Sequence, residues 1–134
     1  MCIYVDDDDT ITLDDGYRRA RKGHKCKECR RTIKPGETYR YWTTLSYGTF
    51  ATEKMCAHCW AAIDVAASFT GCPRQWYWGQ VFNGDADDGG FMADIIEDHV
   101  LPRRKMAYMR LIRHHGRRSW HAPDGSLYPI PVAA

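Results

Sequence analysis

Residues 26–59 read CKECRRTIKPGETYRYWTTLSYGTFATEKMCAHC, and the two ends of this stretch decide the fold. Each end is a Cys-x-x-Cys pair, Cys26 with Cys29 and Cys56 with Cys59. Two intervening residues let both thiolates of a pair face one ion from a tight turn, and two such pairs complete a tetrahedral four-sulfur shell. Thiolates are soft ligands, and zinc is their usual occupant in a reducing compartment, although a mononuclear iron fits the same geometry. One pair would be weak evidence; two in a short chain point to one structural zinc ion. A thioredoxin-type redox pair needs a βαβ setting that this pattern lacks.

Between the pairs, Pro35-Gly36 marks a turn. Tyr39, Tyr41 and Thr43 then alternate with Arg40, Trp42 and Thr44, a period of two in β-prone residues. Ser46 to Thr49 reads as a turn and Thr49 to Met55 as a returning strand, so 30–55 is expected to form a β-hairpin. The second pair opens a helix, because Trp60, Ile63 and Ala67 recur at helical spacing among alanines. Gly71 and Pro73 end it. Free N–H groups at the start of a helix favour thiolates. The reading is α+β: a treble-clef zinc finger of knuckle, β-hairpin and helix over 20–71, with a helical C-terminal extension and a short terminal hairpin.

The run from Ala20 through His24, Cys26 and Cys29 to Ile33, Pro35-Gly36-Glu37 and Tyr39, followed by the later pair, resembles small uncharacterised bacteriophage treble-clef zinc-finger proteins. The resemblance covers about residues 1–65. It implies a phage or prophage origin and a treble clef, and it implies no activity.

Outside the zinc domain, 1–19 is an acidic N-terminal segment with Asp6–Asp9, Asp14 and Asp15. Residues 72–90 form an aromatic and acidic connector. Trp76, Tyr77 and Trp78 lie in its aromatic part and are expected either to bury against the hairpin or to present a surface. Asn83 to Gly90 faintly resembles a calcium loop, but Gly89 sits where an oxygen ligand is needed and no Glu closes it. Residues 91–134 carry the helical extension, expected to pack on the zinc domain. Its first helix runs from Phe91 to Val100. Pro102 interrupts, and a second helix with Met106, Met109 and Ile112 as its stripe ends at Gly116 as C-cap. Pro123-Asp124-Gly125 turns the terminal hairpin.

The 134 residues carry a formal charge of +2, strongly clustered. Arg18, Arg19, Arg21, Lys22, Lys25, Lys27, Arg30, Arg31 and Lys34 form one basic block. Arg103, Arg104, Lys105, Arg110, Arg113, Arg117 and Arg118 form the other, and together they hold all but three of the 19 basic residues. Four thiolates and a zinc dication would take the protein from +2 to near zero. Bulk charge therefore does not argue for nucleic acid, whereas local patches do. No apolar run is long enough for a membrane span. The start has neither the basic nor the apolar part of a secretory signal, so the expectation is the cytoplasm, which the resemblance implies to be that of a bacterial host.

Cys2 and Cys72 are left over. Cys2 would become N-terminal if the methionine were removed, but no positioned base accompanies it. Cys72 reads as a small buried apolar residue. His24 and His58 flank the ligands without being needed by a closed shell. His114, His115 and His121 lack a matching carboxylate and read as surface or packing residues.

The first functional expectation is a non-enzymatic accessory protein that docks on a host or phage protein, with Trp76, Tyr77, Trp78, Arg103, Arg104, Lys105, Arg110 and Arg113 as its interaction surface. The alternative is nucleic-acid binding through blocks 18–34 and 103–118, with Tyr39, Tyr41 and Trp42 as stacking platforms. A treble-clef nuclease would need a catalytic His and an open metal position, and His24 fills neither role well.

Overall fold

The computed structural model describes residues 10–71 and 100–133. Among these, a three-stranded antiparallel sheet, a two-stranded ribbon and two helices surround the four cysteines. In chain order the elements are β1 (Thr10–Arg19), β2 (His24–Lys25), β3 (Thr32–Ile33), β4 (Thr38–Ser46), β5 (Thr49–Cys56), α1 (Ala57–Thr70) and α2 (Arg103–Gly116).

The hairpin read from alternation is β4–β5, in register from Tyr39↔Cys56 to Ser46↔Thr49. Its loop is the two residues Tyr47 and Gly48, both with positive φ, at 49° and 76°. That is the twist of a type I′ turn, which matches the twist of the flanking strands. The preceding turn is equally local. Pro35 fixes one dihedral, Gly36 takes φ 92°, and Glu37 N–H closes on Lys34 O at 3.1 Å.

The sheet has a third strand that the sequence pattern did not announce. Residues 10–19 fall within the stretch read as an acidic N-terminal segment, yet they pair with β4 along its whole length, from Thr10↔Ser46 to Arg19↔Thr38. The alternation of β1 is masked because most of its side chains face solvent and because a bulge between Thr12 and Asp14 resets its faces. Pairing is locked locally. Gly16 lies opposite Tyr41, whose ring comes within 3.2 Å of where a Cβ on Gly16 would stand. Tyr41 hydroxyl donates to Asp14 at 3.2 Å, and Arg40 pairs with Asp15 at 3.1 Å.

Helix α1 begins directly after β5, with Cys56 as its N-cap residue, and ends at Gly71 in the left-handed conformation, φ 74°. It buries Trp60, Ala62, Ile63, Val65 and Ala66 against the sheet and α2. Helix α2 contributes Met109 and Ile112 to the same core. The reading of Gly116 as a C-cap needs correction: it is buried as the last helical residue, and Arg117 continues in a right-handed conformation. The left-handed residues are Ser119 and Trp120, whose turn brings Trp120 N–H back to His115 O at 2.9 Å. The tail then folds through a turn at Pro123-Asp124-Gly125, with a bridge between His121 and Leu127. The expectations for Trp76, Tyr77 and Trp78, the acidic loop, the helix at 91–100 up to its last residue, Cys2 and Cys72 fall outside the described residues.

Candidate metal centre

The first cysteine pair sits on a tight knuckle. Cys26 N–H donates to Arg31 O and Arg30 N–H to Cys26 O, both at 3.0 Å, and Arg30 takes the left-handed φ of 65° that lets the chain reverse. Lys27 N–H donates to Lys54 O at 2.9 Å, which ties this knuckle to β5. The second pair comes from the end of β5 and the first turn of α1. The sheet thereby fixes one pair against the other.

All four sulfurs lie within 4.8 Å of one another, and each cysteine is at most 3% exposed. Sγ of Cys26 is 3.8 Å from that of Cys59, and Sγ of Cys29 is 3.8 Å from that of Cys56. A disulfide would need about 2.05 Å. A tetrahedron with metal–sulfur bonds of about 2.3 Å has edges of about 3.8 Å. The residues therefore fit a four-coordinate ion held by sulfur alone.

The electrostatics lead to the same requirement. Hydrogen bonds from the other three thiols, then the Cys56 N–H at 3.3 Å, pull Cys26 strongly down from the usual thiol range. Cys56 also goes down, with bonding to Cys29 and Cys59 outweighing the opposing effect of Cys26. Cys29 is pushed far up, first by Cys26, and Cys59 is pushed up by burial and then by its neighbours. Four sulfurs this close cannot all be anionic without a cation among them. A dication removes that conflict and makes all four thiolates.

The sulfurs are enclosed by residues from far along the chain. Trp120, 1% exposed, donates its indole N–H to Cys59 Sγ at 3.3 Å. Ser119 hydroxyl donates to Cys29 O at 2.6 Å. His58, between the second pair, is turned away from the sulfurs. Its Nε2 donates to Tyr128 O at 2.7 Å, so its Nδ1 is the acceptor facing Arg31 Nη2 at 3.3 Å. Burial, then the nearby Arg31, lowers its pKa despite the bond to Tyr128 O, consistent with a neutral ring. Arg31 in turn makes a two-pronged pair with Glu37 at 2.9 and 3.2 Å. This outer set was not legible in sequence, because Trp120 and Cys59 are 61 positions apart and share no motif.

The other residues named from sequence are arranged differently from their block. On α2, Arg103, Arg104 and Arg110 are exposed. Lys105 lies over the Phe69 ring at 4.9 Å, and Arg113 is partly buried. The stacking platforms need correction as well. Tyr39 and Trp42 are each 4% exposed, and Arg18 covers the Tyr41 ring at 3.8 Å. Among the histidines, His115 stacks on Tyr128 at 3.8 Å and His24 lies 3.1 Å from Lys54 Nζ. No helix among the described residues is long and apolar enough to cross a membrane. Comparison with protein-family models, with curated proteins and with solved structures finds no match to this chain.

Proposed function

We propose that the chain is a non-enzymatic interaction module fastened by one structural zinc ion. Knuckle, hairpin and a helix that opens on the second pair, with Cys56 as its N-cap and Cys59 in its first turn, follow the order of a treble clef, and we read the fold as one. The observation that carries the reading is closure of the site. Four buried sulfurs supply the whole shell, and Trp120 seals its outer side. A shell of four thiolates has no position for water or substrate, so such an ion holds a fold together rather than performing chemistry.

The work then falls to surfaces. The free end of the sheet supports a protein partner, because Ile11, Leu13, Tyr47 and Phe50 are between 51% and 78% exposed there. Apolar groups gathered at one tip are a docking feature of small domains. The resemblance carried by Ala20 to Tyr39 supports an accessory protein of phage type, acting in the cytoplasm of a bacterial host on a host or phage protein.

Cobalt substitution tests the closed shell. One equivalent should give the spectrum of a tetrahedral four-thiolate ion that added anions do not perturb. A spectrum that shifts with added anion, or that shows five or six ligands, would mean an open site and overturn the reading. The zinc-loaded chain should also recover a protein from host lysate that an Ile11→Asp/Phe50→Asp variant fails to recover.

A further inference from the structure

At the other end of the sheet from this apolar tip lies an open groove of about 1060 Å³. Arg18, Arg19, Arg21, Lys22 and His24 line it, with Tyr39 behind them. No carboxylate is among its walls as far as the described residues go. The ion pairs formed among the described residues join Lys27 to Glu53, Arg31 to Glu37 and Arg40 to Asp15. None of them engages a cation of the groove. The backbone that carries these cations is also held in place. Ala20 N–H donates to Glu37 O and Gly36 N–H to Ala20 O, each at 2.8 Å, which clamps the basic loop onto the Pro35-Gly36 turn.

We propose that this groove binds the sugar–phosphate backbone of a nucleic-acid duplex, beyond the protein docking assigned to the apolar tip. Guanidinium and ammonium groups that form no ion pair among the described residues and converge on one concavity suit phosphate oxygens, which arginine grips in pairs. A single strand would need exposed rings for its bases to stack on. Here Tyr39 is buried and Tyr41 is covered by Arg18. A protein partner would need an apolar anchor, and the described residues of the groove expose none. Contacts to phosphate alone fix position without reading sequence, so affinity should not depend on the duplex sequence.

Fluorescence anisotropy with a labelled duplex tests this on the zinc-loaded full chain. If four cations each neutralise one phosphate, the logarithm of affinity should fall with that of salt at a slope of about −3.6, and binding should weaken about 150-fold between 50 and 200 mM. Arg21→Glu/Lys22→Glu should lower affinity by at least about tenfold at low salt, and the milder Arg21→Gln/Lys22→Gln by less. Arg103→Glu/Arg104→Glu, outside the groove, should change it by no more than about twofold. Tighter binding of a single strand or a polyglutamate peptide than of the duplex overturns the proposal, as does a groove variant with unchanged affinity. Zinc content and circular dichroism are measured on the same samples. A zinc-loaded, folded chain that ignores duplex removes the groove's role and leaves the zinc-held module standing.

Discussion

Trp120 reaches across the molecule and donates its indole N–H to Sγ of Cys59 at 3.3 Å. A hydrogen bond to a ligand sulfur favours its anionic form and orients it, and such outer contacts commonly matter tenfold or more to metal affinity. Trp120→Phe keeps an aromatic ring in the same pocket and removes the donor together with the volume of the second ring. We expect zinc affinity to fall about tenfold, read by competition with a chelating dye. Unchanged affinity would reduce Trp120 to packing.

The same tail predicts what chelation does. Helix α2 buries only Met109, Ile112 and Gly116, and the tail is pinned by Trp120 to Cys59, Ser119 to Cys29 O and Tyr128 O to His58. Each attachment point is a ligand or lies beside one. The zinc domain expected from sequence ends at residue 71; these contacts extend the metal's influence to residue 128. A four-thiolate zinc contributes on the order of 10–16 kcal/mol in small domains. Strong chelation should therefore abolish the helical circular dichroism and shift the tryptophan emission in one concerted step. Two separated steps would mean that the C-terminal part folds without the metal.

The parts legible in sequence are those with short-range signatures. Cys26, Cys29, Cys56 and Cys59 announced themselves by spacing, β4–β5 by alternation, and α1 by its apolar period with Gly71 behind it. Strand β1 escaped because a solvent-facing strand with a bulge shows no clean period. Tyr39 and Trp42 read as platforms in sequence because an aromatic residue beside a basic block looks the same whether its ring is buried or free. The closure by Trp120 and the Glu37–Arg31–His58 chain depend on tertiary contacts that no local pattern encodes.

Tyr47 offers a stabilising change. Its φ of 49° is left-handed, and the residue is 78% exposed, so little packing offsets the strain. Asn tolerates this conformation and Asn-Gly is the favoured pair for such a turn. Tyr47→Asn should raise stability by roughly 1 kcal/mol, measured by chemical denaturation of the zinc-loaded protein. A loss of stability would reveal a role for the ring.

The Arg31–Glu37 pair predicts a pH dependence whose sign follows from its charges. Arg31 has a side chain only 2% exposed, whereas Glu37 is 28% exposed. Burial opposes ionisation of Glu37, but the bonds from Arg31 and from Lys34 N–H at 2.6 Å outweigh it, so its pKa lies below the ordinary carboxylate value. The folded state thus binds this proton less readily than the unfolded one. The pair's contribution is complete above the unfolded pKa of about 4.3 and is lost as pH falls through the depressed folded value. Glu37→Gln takes the carboxylate away from a buried guanidinium, which keeps only the Cys56 sulfur as an anionic neighbour among the described residues. Breaking a fully buried pair costs about 3–5 kcal/mol, and solvent screening at Glu37 reduces the expected loss to about 2 kcal/mol near neutrality. Denaturation of both proteins from pH 7 downward should show this gap narrowing as pH drops below about 4. A gap that stays constant into acid would mean that Glu37 acts through its shape and hydrogen bonds, not its charge.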